Sequence, residues 1–219
     1  ANMSNNIAME TPLMHAYGNF SHHEYSVGGE IGFGELQFDL VGKEMPLCSH
    51  LNIRGDAGDD AFCAGIEQVL GIHLPTQPGH YHTSRTHSLY WLGPDEWLLI
   101  SQAESIDLQA QLRAALSGHV SIVDVAGGQI VINLRGSAVA LATLLKKSSV
   151  YDFGGWGTAV EGGGRCVQTT FAKASAVVAN RCDGTYELVV RRTFADYIAR
   201  WLLDAGREFG CRIEGESGV

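Results

Sequence analysis

At 219 residues, 45% of them apolar and 18% charged, the chain has a globular composition, with enough length for one large core or two of roughly 100 residues. Its net charge of −9 excludes a broad phosphate-binding surface, which needs clustered Lys and Arg. No apolar run of about 18 residues is present to cross a bilayer as a helix, so neither nucleic acid nor membrane is expected as a partner.

The five cysteines (Cys48, Cys63, Cys166, Cys182 and Cys211) are odd in number and scattered, and none forms a C-x-x-C pair. That pattern predicts free thiols rather than a disulfide framework or a zinc site. The first residues, Ala1 to Asn6, hold no basic stretch followed by an apolar core, so a cytoplasmic location is expected.

In chain order, residues 1–47 read as an extended arm plus one strand, the alternating Glu35 to Leu40. The strand His50 to Arg54 ends at Gly55. Asp59 then caps a helix carrying Phe62, Ile66, Val69 and Leu70, which Gly71 stops. The stretch Gly79 to Thr86 reads as a polar loop. It leads into the central feature of the chain, two apolar runs, Leu89 to Leu92 and Trp97 to Ile100, joined by Gly93-Pro94-Asp95-Glu96. The tetrapeptide predicts a tight turn, and the near-continuous apolar runs predict hairpin strands covered on both faces. Ser105 is the expected cap of a second helix with Leu108, Leu112, Ala115 and Leu116 on one side, stopped by Gly118.

Beyond the strand Ser121 to Val125 and the turn at Gly127-Gly128, the design repeats. Leu51-Asn52-Ile53-Arg54-Gly55-Asp56-Ala57 is echoed 81 positions later by Ile132-Asn133-Leu134-Arg135-Gly136-Ser137-Ala138. A helix with Val139, Leu141, Leu144 and Leu145 follows, then a Gly-rich insertion, Gly154 to Gly164, read as an interface loop, and the strand Cys166 to Phe171. A second hairpin turns at Asp183-Gly184. Thr193 and Asp196 suggest an N-terminal box for the last helix, with Phe194, Tyr197, Ile198, Trp201, Leu202 and Ala205 as its buried stripe and Gly210 as its stop.

Duplicated β-α-β-β-α units imply an α+β fold with mainly antiparallel sheets and outer helices. The expected layout is a single pseudo-duplicated domain over residues 48–210, with halves at about 48–120 and 121–210, and a tail at 211–219. The halves are expected to join through the last strand of each unit.

Candidate chemistry is sparse. His80, His82 and His87 are the densest histidines, but a polar loop is a better reading of them than a metal site. The glycines around Trp156 fit neither the P-loop nor the dinucleotide fingerprint, and Trp156 itself suits either partner contact or its own core. Asp124, among apolar neighbours, reads first as a strand-end cap, and a raised carboxyl pKa is expected if it is buried. Arg54 and Arg135, at matching repeat positions, are expected to bond carbonyls at strand ends. No catalytic residue is assigned.

Taken together, Leu51 to Asp56, Trp91-Leu92-Gly93-Pro94-Asp95-Glu96-Trp97-Leu98-Leu99, Val123-Asp124-Val125, Cys166 to Ala172 and Val190-Arg191-Arg192-Thr193-Phe194-Ala195-Asp196-Tyr197 resemble the gamma subunit of heterotetrameric sarcosine oxidase. The resemblance spans about residues 50–210. It implies a fold similar to the folate-binding domain of glycine-cleavage aminomethyltransferase, and a complex with alpha, beta and delta subunits. Those partners would carry FAD, FMN, NAD, tetrahydrofolate and zinc, leaving this chain without a cofactor or active site of its own. Ala126-Gly127-Gly128-Gln129 and Lys146-Lys147-Ser148-Ser149 depart from the family pattern. A gamma-like subunit of a related complex, such as N-methylglutamate dehydrogenase, is the alternative. A free-standing folate-binding protein is another, in which Asp124 would be the carboxylate that meets the pterin.

Overall fold

The computed structural model describes residues 12–13, 39–102 and 107–215. In the first half, β2 (Ser49–Arg54), α1 (Asp60–Leu70), β3 (His80–Thr83), β4 (His87–Gly93), β5 (Glu96–Ser101) and α2 (Leu108–Ala115) follow β1 (Leu40–Glu44). After β6 (Ser121–Asp124), the second half repeats that order as β7 (Gln129–Gly136), α3 (Ala138–Ser148), β8 (Gly163–Phe171), β9 (Ala174–Asn180), β10 (Tyr186–Arg191) and α4 (Ala195–Ala205). β11 (Cys211–Glu214) ends the described chain.

The strands join in the order β11-β1-β7-β10-β9-β8-β3-β4-β5-β2-β6. Every pairing is antiparallel except β1 with β11. The order is close to palindromic about the β8–β3 pair, so β2-β5-β4-β3 in one half mirrors β7-β10-β9-β8 in the other. The fold is thus the expected antiparallel α+β duplication, but its seam differs from expectation. The halves join through β3 and β8, with His80 opposite Arg165 and His82 opposite Gly163, whereas β5 and β10 each lie inside their own half. The expected loop over Gly79 to Thr86 instead contains strand β3, whose one buried residue, Tyr81, is too short a pattern to show as alternation.

Alternating residues of the apolar strands serve different layers. Trp97 and Leu99 face a cluster with Phe62 and Ile66 of α1 and Leu112 of α2. Ile132, Val178 and Leu188 face α3 and α4. The opposite faces, with Leu98, Ile100 and Tyr90 from one half and Val131, Val177 and Val189 from the other, pack together as a third cluster. Helices therefore lie outside and two sheet faces meet inside, which accounts for strands apolar on both sides.

Local signals explain most helix ends. Asp59 accepts from the amide of Ala61, and Gly71 closes α1 in the left-handed region at φ 65°. For α2 the cap is Asp107, accepting from the amide of Ala110; Ser105 lies outside the described residues. The Thr193–Asp196 box does not form. A 3-10 turn already runs from Arg192 to Phe194, so Thr193 lacks the extended conformation of a cap, and Phe194 precedes α4 with no side-chain cap. α4 ends at Ala205 with Gly206 next, and Gly210 follows a further 3-10 turn.

Both outer boundaries shift. The expected strand at Glu35 to Leu40 falls mostly outside the described residues, and the observed β1 begins at Leu40 and pairs with β7, so it belongs to the body. The expected tail contributes β11, whose Ile213 is buried.

Candidate functional site

The inner layer is where polar groups gather. Tyr90 on β4, fully buried, donates its hydroxyl to Glu187 Oε1 on β10. Arg181, in the turn between β9 and β10, stands 3.8 Å from Glu187 Oε2, and its guanidinium lies 5.5 Å over the ring of Tyr81. Tyr81 donates to the Asn180 carbonyl at 2.6 Å and stacks on Tyr90 at 5.2 Å. Burial first, then the Glu187 charge, pushes the Tyr90 hydroxyl well above its usual range; burial lifts Tyr81 to about 12. Burial would lower the pKa of Arg181, but Tyr90 and Glu187 hold it raised. At neutral pH both phenols therefore keep their protons and Arg181 keeps its charge.

Beside it, Cys48 Sγ lies 3.1 Å from His50 Nε2, and His50 Nδ1 lies 2.9 Å from Gln129 Oε1. Thiol, imidazole and amide have the connectivity of a nucleophile with its base and orienter. Their electrostatics oppose that role. Burial and then Glu187 push Cys48 up to about 11, while burial pulls His50 down against the Gln129 hydrogen bond, so the neutral pair is favoured over thiolate and imidazolium. The two-residue spacing of Cys48 and His50 was visible in the sequence. Gln129, 79 positions away, could be placed beside them only by the fold.

Cys48, His87, Ser88, Tyr90, Arg181 and Glu187 border a cavity of about 50 Å³. A water needs about 10–15 Å³ on this measure, so the space suits a few waters and not a pterin. A wider, open groove of about 430 Å³ lies over the β3–β8 seam.

Asp124 is not embedded as expected. It is exposed at the end of the edge strand β6 and accepts from the amide of Ala126, the first residue of the 3-10 turn Ala126–Gly128, at 2.9 Å. It borders neither cavity, and the folate role proposed for it does not fit this placement. Trp156 is 8% exposed: it packs edge-on to Phe153 and Tyr151, stacks on Tyr186, and reaches the groove wall.

The histidines separate rather than converge. His80 Nδ1 meets the Pro78 carbonyl, His82 Nδ1 the His73 carbonyl and His87 Nδ1 the Ser101 hydroxyl, and no metal-binding cluster occurs among the described residues. Arg54 and Arg135 do share a structural role, but with carboxylates instead of carbonyls: Arg54 pairs with Asp95 at 2.7 Å and Arg135 with Glu214 at 2.9 Å. In the Gly-rich insertion, a Cβ at Gly163 would lie 2.5 Å from the Tyr81 carbonyl and one at Gly164 2.7 Å from Asn180 Oδ1, so both positions require close backbone approach at the seam. The unusual Lys147 and Ser148 tie α3 to α4, through Lys147 to the Ala205 carbonyl and Glu208, and Ser148 to the Trp201 indole.

Comparison with known proteins gives a consistent result. Residues 54–208 match the profile of the sarcosine oxidase, gamma subunit family. Sarcosine oxidase subunit gamma of an Arthrobacter species is 30% identical over 172 residues, covering 78% of this chain and 81% of that protein. The counterpart from Corynebacterium sp. strain P-1 is 28% identical over 76% of this chain and 80% of its own length. Among solved structures, a chain of heterotetrameric sarcosine oxidase from Corynebacterium sp. U-96, determined with pyrrole 2-carboxylate, superposes with a TM-score of 0.74 at 24% identity, covering 93% of this chain and 97% of that one. Glycine cleavage system aminomethyltransferase T from Bartonella henselae shares the fold at a TM-score of 0.55 and 10% identity, over 81% of this chain and 48% of its own.

Proposed function

The chain belongs to the sarcosine oxidase gamma subunit family, and on that premise we propose that it is a non-catalytic subunit of a heterotetrameric, flavin-dependent sarcosine oxidase. In this reading the complex demethylates sarcosine oxidatively to glycine, and other subunits pass the methyl carbon to tetrahydrofolate. The observation that best supports a structural role is the Tyr90–Glu187–Arg181 network. It ties the partly buried Glu187 and Arg181 of one half to Tyr90 and Tyr81 of the other, beside a cavity with room for a few waters.

The alpha, beta and delta subunits are the proposed partners, with FAD, FMN, NAD, tetrahydrofolate and zinc held on them, in the cytoplasm. No helix among the described residues is long and apolar enough to span a membrane. The departures at Ala126 to Gln129 and Lys146 to Ser149 favour, as a second reading, the same role in an N-methylglutamate dehydrogenase-type complex. Here those residues hold His50 and join α3 to α4, so they bear on subunit packing, and the substrate is assigned to another polypeptide.

Affinity purification from the native cells tests the proposal. A yellow complex with larger flavin-bearing chains, oxidising sarcosine faster than N-methylglutamate, is the expected result. The reverse substrate preference selects the second reading, and a colourless chain purifying alone refutes both.

A further inference from the structure

The groove over the seam holds a cation, Arg165, that makes no ion pair among the described residues. Tyr81, Asn180 and Trp156 contribute to its lining, with His80, Arg165 and the run Ala159 to Gly164. Arg165 Nε is buried without a hydrogen-bond partner. Among the described residues the Arg165 side chain forms no ion pair, although Arg54, Arg135, Arg181, Arg200, Arg207 and Arg212 each meet a carboxylate. Glu161 also borders the groove but is exposed and not bonded to Arg165.

A buried guanidinium donor left unmatched is costly, and the Nε–Nη edge of arginine is shaped to take both oxygens of one carboxylate. Among the described residues Arg165 is the one Lys or Arg that lines this groove. Beside it Val160 is 73% exposed on the groove rim, an apolar side chain that a small free anion would leave bare.

We propose that the groove is a docking site for a partner subunit. The partner sets an aspartate or glutamate carboxylate against the Arg165 guanidinium and covers Val160 with an adjoining apolar side chain. This rests on the subunit reading above and adds to it a face and a chemistry. Arg165 lies at the start of β8, opposite His80 of β3, so a chain bound there spans both halves across the seam.

The test uses the assembled complex with a photo-crosslinking amino acid at Val160, and separately Arg165→Met and Arg165→Lys. The expected result is an adduct between position 160 and another subunit, in a peptide containing Asp or Glu. Arg165→Met is expected to weaken retention of the chain in the complex by about 30-fold or more, as for loss of one partner of a buried charge pair, and Arg165→Lys by less. Unchanged thermal unfolding of the free variants shows that retention, not folding, is read. An intact complex with no intersubunit adduct at position 160, or with wild-type retention of Arg165→Met, overturns the docking site while the subunit reading stands. Acetate binding to the free chain that Arg165→Met abolishes, with no adduct in the complex, identifies a small-anion site and overturns it too. If the wild-type chain enters no complex, the subunit reading itself fails.

Discussion

Tyr90 and Glu187 lie 97 positions apart, one on each half, and the phenol donates to the carboxylate across the inner layer. Arg181 Nη1 stands 3.8 Å from the same carboxylate and 3.5 Å from the Tyr90 hydroxyl. The duplication is therefore closed by polar bonds as well as by β3–β8 pairing, and disturbing those bonds separates their contribution from that of the apolar layer.

Tyr90→Phe removes a donor from a partly buried carboxylate and is expected to cost about 1–3 kcal/mol. Arg181→Met leaves Glu187 without its counter-charge and costs more, roughly 2–4 kcal/mol. Because both act on one carboxylate, the double variant is expected to lose less than the sum of the two. Urea unfolding of the four proteins measures this, and strict additivity would show that the two contacts are independent.

Stability is expected to fall as pH drops below about 6.5. Burial lowers the folded-state pKa of His50 and His87 from the model-compound value of 6.5. Between the two values the unfolded chain binds the extra protons, so the neutral-imidazole contribution is full above 6.5 and is lost on acidification. Around His50 the groups involved are Cys48, Gln129, Glu187 and Asp124. His50→Gln is expected to flatten part of the slope in unfolding curves taken between pH 5 and 8, a range set by the ordinary histidine pKa.

Thiol labelling follows burial. Cys182 is exposed, whereas Cys166 and Cys211 are pushed up to about 12 and Cys48 to about 11, mainly by burial. Iodoacetamide at pH 8, with sites mapped by mass spectrometry, is expected to modify Cys182 first and those three slowly. His50→Ala is expected to leave the Cys48 rate equal or higher. A slower rate would mean that His50 activates the thiol after all.

The seam glycines are expected to be intolerant where the backbone is close. Gly163→Ala would place its Cβ 2.5 Å from the Tyr81 carbonyl, and is expected to cost about 1–3 kcal/mol as an overpacked site. Gly155→Ala meets nothing within 4 Å and serves as the control, with little change in its melting curve.

Periodic and punctuated stretches were legible from the sequence because their structure is local. Asp59 and Gly71 bound α1 by satisfying its own end groups, Pro94 and Asp95 form the central turn, and the Leu51 and Ile132 repeats do become the equivalent strands β2 and β7. Both-sided burial of β5 followed from its unbroken apolar run. The family resemblance rested on such segments too.

Tertiary structure alone decided the seam and the polar centre. β3 and the start of β8 have little alternation of their own and hold their place by pairing across 80-odd positions, His80 with Arg165. Asp124 looked embedded from its neighbours in sequence, but β6 is an edge strand and turns it to solvent. Trp156 could have faced either way until Phe153, Tyr151 and Tyr186 closed around it. Chain order carries hydrophobic period and end chemistry, which act over a few residues. Which groups meet, as Glu187 meets Tyr90 and Arg181, and which find no ion pair among the described residues, as Arg165, depends on distances that exist only once the two halves have closed.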